Sequence, residues 1–189
     1  MAVDRARVAA AVAELLAAIG DDPTRQGLAE TPRRVAEAYA DYFSGVGVDA
    51  AEPLADSTSL DGETGELVLL RGIELRSICE HHLLPFTGIA HVAYLPGDRI
   101  VGLGRIPAVV DVVASRPQIQ ERLTDEIADA LVRGLAPRGV LVVVEATHGC
   151  VTARGARQTR SSTVTMASRG ALAAPLERAE IMALIGESR

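Results

Sequence analysis

What most constrains this chain is the order in which its hydrophobic periodicity changes after Glu66. "ELVLLRGIELRSI" and "TGIAHVAYLP" predict strands, and "IVGLG" predicts a short one ended by glycine. Two helical stretches follow, "IPAVVDVVAS" and "PQIQERLTDEIADALVRGL". In the second, Ile119, Leu123, Ile127, Ala130 and Leu131 share a face. "GVLVVVEATH" and "SSTVTMAS" again predict strands, and "PLERAEIMALIG" a closing helix. Residues 66–189 therefore read as a ββααββ domain of the α+β class, an antiparallel four-stranded sheet covered on one face by a helix pair. So small a sheet leaves edge strands that need a partner, which favours a homo-oligomer.

The preceding residues predict an N-terminal helical arm, 1–44. Val8, Val12, Leu15, Leu16 and Ile19 share one helical face, and Gly20 can close that helix. Thr31 as N-cap and Pro32 at the first helical position open a second helix running to about Phe43. Residues 45–65 are rich in Gly, Asp, Ser and Pro and lack periodicity, which predicts a linker. No apolar run approaches the roughly 20 residues needed to span a membrane, and the first residues lack a signal peptide's layout. The expected location is cytoplasmic, where two cysteines are thiols or ligands rather than a disulfide. A net charge of −6 argues against nucleic acid or an anionic membrane as partner. All 19 cations are arginine, so an arginine where a lysine is usual carries little meaning.

The chemistry gathers in three places. "SICEHHLLPF" holds Cys79, His81 and His82, and Cys79 and His82 are spaced so that both can reach one ion from a turn. The other cysteine, Cys150, lies in "EATHGCVTARG" with His148 beside it. Two thiolates and one imidazole make a three-ligand zinc set, and such a set keeps a position open for water. His81 and His148 then sit near the metal without being needed as ligands, as proton-transferring groups should. The plainer alternative is two buried thiols and histidines that are merely satisfied polar groups. Second, Arg154, Arg157 and Arg160 crowd just after Cys150, which suits phosphate, or else forms a solvated arginine face. Third, Gln120-Glu121 start a helix. A carboxylate there can accept two N–H donors from a purine edge, or simply complement the helix dipole.

Together these segments resemble the GTP cyclohydrolase I family. The matching stretches are "DDPTRQGLAETPRRVAEAY", "CEHHLLPFTGIAHVAYLPGDRIVGL", "RPQIQERLTDEIADAL", "EATHGCVTARGAR" and "SSTVT", in the family's order, from about Asp21 to Gly170. The resemblance implies the tunnelling fold, in which subunits join their sheets into a barrel, usually a decamer of two pentamers with active sites between subunits. It implies hydrolysis of GTP at purine C8, release of formate and formation of 7,8-dihydroneopterin triphosphate. Carried over by position, Cys79, His82 and Cys150 bind zinc, His148 shuttles protons at the imidazole ring and His81 assists. Glu121 holds the guanine edge with Gln120 beside it, Arg105 and Arg154 take phosphate, and Arg34 reaches a neighbouring subunit's site.

Two positions depart from the family's pattern. Gly104 lacks a hydroxyl that the family uses near the ribose, and Ala108 lacks a phosphate-binding arginine. These departures bring in a second reading, a divergent paralogue that opens the ring of GTP or a related purine nucleotide and stops at a formamidopyrimidine. A third is a non-catalytic purine or pterin binder with a structural metal.

Overall fold

A computed structural model describes residues 3–62 and 65–186. In chain order the elements are α1 (Arg5–Ala18), α2 (Thr31–Tyr42), β1 (Ser57–Ser59), β2 (Val68–Cys79), β3 (Pro85–Leu95) and β4 (Arg99–Val101). Then come α3 (Arg105–Ala114), β5 (Pro117–Gln118), α4 (Gln120–Leu135), β6 (Gly139–His148), α5 (Gly149–Thr152), β7 (Thr163–Gly170) and α6 (Pro175–Gly186).

The main sheet runs β5-β2-β3-β6-β7. Its four long strands pair antiparallel, as the sequence predicts. The sheet nonetheless differs from a plain ββααββ arrangement. Pro117–Gln118, expected to open the second helix, pairs parallel with Ile78–Cys79 as a fifth, two-residue strand. Proline cannot donate to a ladder, and at the start of an edge strand it does not have to. A separate two-stranded sheet joins β1 to β4. Residues 45–65, read from composition as a linker, thus carry β1 and also a helical turn at Glu52–Leu54 whose Leu54 is fully buried. Thr31 is the first helical residue of α2 and not its cap; Glu30 precedes it without a side-chain capping bond.

The helix layer explains one half of the strand pattern. Ile106, Val109, Val110 and Val113 of α3 and Leu123, Ile127 and Leu131 of α4 are buried against Ile73, Leu75, Val92, Val142 and Val144 of the sheet. Removing each such aliphatic side chain from water contributes about 1.5–3 kcal/mol. On the other face, Leu141 and Val143 of β6 pack with Leu172, Ile181 and Met182, so α6 covers part of that side. This two-sided burial is why β6 reads as an unbroken apolar run from Val140 to Val144, where a half-exposed strand would alternate. Gly88 lets β3 and β6 approach closely: a Cβ there would stand 2.1 Å from the Glu145 carbonyl oxygen.

Both long edges remain open within one chain. Among the described residues β2 carries a neighbour on its outer side only at Ile78–Cys79, and β7 is the last strand of the sheet. None of the helices among the described residues is long and apolar enough to cross a membrane.

Candidate metal centre and substrate groove

The β2–β3 connection and the β6–α5 junction meet at one end of the sheet. Cys79 ends β2 and is buried. The hairpin closes through Leu83 N–H to the Cys79 carbonyl at 2.9 Å and Cys79 N–H to the Leu84 carbonyl at 2.9 Å. His148 ends β6, directly across from Phe86 of β3. The two rings stack, with centroids 4.6 Å apart and planes 10° from parallel. Cys150 follows in α5, half-buried.

This geometry brings the donor atoms of Cys79, His148 and Cys150 within 4.8 Å of one another. Soft thiolates with an imidazole suit zinc, and both cysteines are free thiols. His82, expected as the third ligand, lies outside that group, exposed on the turn, as does the exposed His81, whose Nδ1 is 3.9 Å from Cys79 Sγ. Burial pushes the Cys150 thiol up, and the neighbouring Cys79 adds to the shift. A cation between the two sulfurs would reverse that preference, because ligand thiols bind as thiolates. Burial also lowers the His148 pKa, which the charge of Glu121 partly opposes, so the ring is held neutral.

The first turn of α4 places Gln120 and Glu121 differently. Gln120 is 1% exposed, its Oε1 2.7 Å from His148 Nε2. Its amide nitrogen donates inward, to the carbonyls of Val144 (3.0 Å) and Thr163 (2.9 Å) and near Thr165 Oγ1 (3.2 Å). Glu121 is exposed. Arg105 opens α3, with its guanidinium 2.9 Å from Asp56. Arg154 and Arg34 are exposed, the latter on α2. Gly104 precedes α3, and a Cβ there would meet nothing within 4 Å.

Several groups at the site carry no clear sequence signal. Arg122 pairs with Glu80 on the ligand turn and also binds the Gln118 side chain at 3.0 Å, tying that turn to α4. This partner holds the Glu80 carboxyl below the usual carboxylate range. Phe86 and Thr165 are equally silent in the sequence, since their roles depend on cross-strand register. Two cavities, of about 720 and 700 Å³, lie elsewhere: one is lined by Glu74, Arg76 and Thr147, the other by His91, Val143 and Met182. Neither touches Cys79, His148 or Cys150.

Fold and site together define an α+β protein with a candidate Cys/His metal centre at the end of an antiparallel sheet. The model of the family described as GTP cyclohydrolase I matches residues 8–186. A protein named GTP cyclohydrolase 1 from Leifsonia xyli subsp. xyli is 60% identical over 183 residues, 97% of this chain and 96% of the relative. One of the same name from Caldanaerobacter subterraneus subsp. tengcongensis is 49% identical over 189 residues, 99% of this chain and 100% of the relative. A solved archaeosine synthase QueF-Like structure is similar at TM-score 0.46 and 15% identity, over 57% of this chain and 97% of that one. The chain belongs to the GTP cyclohydrolase I family, a family of hydrolases.

Proposed function

We propose that this protein is a zinc-dependent GTP cyclohydrolase I that opens GTP at purine C8, releases formate and forms 7,8-dihydroneopterin triphosphate. The observation that carries the reading is the convergence of Cys79, Cys150 and His148 within coordination distance, in a chain of this family. In this reading Cys79, His82 and Cys150 hold the zinc. Bound there, zinc polarises water and brings its pKa toward about 7. His148, neutral through burial, moves protons at the five-membered ring of the purine, with His81 assisting.

Glu121, exposed at the head of α4, accepts the N–H donors of the guanine edge. Arg105 and Arg154 bind phosphate, with Arg105 leaving Asp56 to do so. The groove is completed by Arg34 of a neighbouring subunit. The open edges of β2 and β7 support sheet-to-sheet joining in a tunnelling-fold barrel, a decamer of two pentamers. The enzyme works in the cytoplasm.

Ala108 falls on α3 three residues after Arg105, the position at which an arginine would share that helix face. Its absence leaves the triphosphate held less tightly than in relatives that have it. Gly104 is not enforced by packing, because a side chain there has open space.

The test is incubation with GTP and zinc, with mass spectrometry of formate and the purine-derived product. Formate together with dihydroneopterin triphosphate supports the reading. Accumulation of a formamidopyrimidine would replace it with a ring-opening paralogue.

A further inference from the structure

We infer that Gln120 is a positioning residue: its buried amide fixes the His148 ring in the tautomer that carries hydrogen on Nε2, leaving Nδ1 as the only lone pair. The inference rests on the role of His148 proposed above, and it separates Gln120 from the substrate-binding role the family resemblance gives it.

The hydrogen-bond donors around Gln120 leave its amide one orientation. Thr124 donates its hydroxyl hydrogen to the Gln120 backbone carbonyl at 2.7 Å. In the 2.6 Å contact between Thr124 Oγ1 and Thr165 Oγ1, the donor must therefore be Thr165. Thr165 Oγ1 is then left to accept. The Gln120 amide nitrogen thus faces three acceptors, two of them backbone carbonyls that can do nothing else. Rotating the amide by half a turn would set Oε1 against those carbonyls with no hydrogen between them, in a site that is 1% exposed. An unpaired buried polar group of that kind is costly.

Oε1 must therefore be the atom that meets His148 Nε2 at 2.7 Å, and an amide oxygen only accepts. The hydrogen has to come from the ring. The other tautomer would place two lone pairs face to face. Stacking on Phe86 fixes the plane of the ring, so only the edge bearing Nδ1 and the ring carbons is left for chemistry. A base needs its lone pair in one place, and Gln120 supplies that by hydrogen-bonding the opposite nitrogen.

The experiment uses the full chain labelled with ¹⁵N-histidine, with the His148 signal assigned by its loss in His148→Asn. The metal-free wild type should show the pure Nε2–H pattern for this ring. Thr165→Val, which leaves the amide its two carbonyl acceptors, should show the same pattern. Gln120→Met, close in volume but without the amide, should show a mixture of tautomers. With zinc and GTP, Gln120→Met should lose about ten- to hundredfold in kcat with KM changed by less than about twofold. An Nδ1–H pattern in the wild type overturns the inference, and that spectrum decides it even if Gln120→Met does not fold. A raised KM at unchanged kcat also overturns it, by returning Gln120 to substrate binding. A wild type that shows the Nε2–H pattern but no GTP turnover upholds the tautomer assignment and overturns the functional reading.

Discussion

His148 and His82 stand within three residues of a thiol, yet the fold treats them in opposite ways. His148 ends a strand, stacks on Phe86 and bonds to a buried glutamine. His82 sits exposed on a hairpin turn whose next residue, Leu83, has a positive φ of 52°. One imidazole is held in place before any ligand arrives, and the other is presented on the surface. Preorganisation suits a group that must meet a reacting atom in one geometry, whereas coordination can itself order an exposed ligand.

The sharpest way to break this contrast is to remove the thiols that both imidazoles adjoin. Cys150→Ala should abolish zinc binding and activity together, as read by metal analysis and turnover. Full zinc occupancy in that variant would end the ligand assignment. Next, the two histidines are exchanged for alanine separately. His82→Ala should lose zinc, whereas His148→Ala should keep it and lose on the order of a hundredfold or more in ring opening. The reverse result would make the Cys79–His148–Cys150 group the metal site as it stands.

A third test isolates the thiols. Because burial and the neighbouring Cys79 raise the Cys150 pKa, that thiol is protonated at neutral pH and a zinc ion binding there would have to displace its proton. Apparent zinc affinity should therefore rise with pH, by about tenfold per unit for each proton released. A flat profile in chelator competition would show that the Cys150 thiolate is formed before metal arrives. The smallest effect concerns the turn. Leu83 holds a left-handed conformation and is 51% exposed. Leu83→Gly should stabilise the protein by about 0.5 kcal/mol, the relief of left-handed strain less the added chain entropy. A lower melting temperature would mean that contacts hold that side chain.

Much of this contrast was legible in the sequence. The stretch "GVLVVVEATH", apolar without a break from Val140 to Val144, marks β6 from end to end, and the clustering of cysteines with histidines marks the centre. The fifth strand was hidden because two residues, Pro117 and Gln118, have no periodicity to read. The structure within residues 45–62 was hidden for a related reason: Ala50 and Leu54 are isolated buried positions in a polar stretch, and only the tertiary structure supplies their partners. Gln120 was misleading in another way. Its amide partners lie 24, 43 and 45 residues away on β6 and β7, so the chain shows a polar residue beside a carboxylate and nothing of what encloses it.

The placement of β6 has a consequence for how the site comes apart. This strand is paired along its length with β3 and along most of it with β7, and its two faces pack into different clusters. Its amides should exchange with solvent only on global opening, while those of the 80–84 turn exchange through local fluctuations. His148 therefore belongs to the last unit to open, and the turn bearing His82 to one of the first. On heating, the half of the centre borne by that turn should loosen while the sheet is still intact. Inactivation should then precede the main unfolding transition, and cooling before that transition should restore the enzyme if zinc is still in solution.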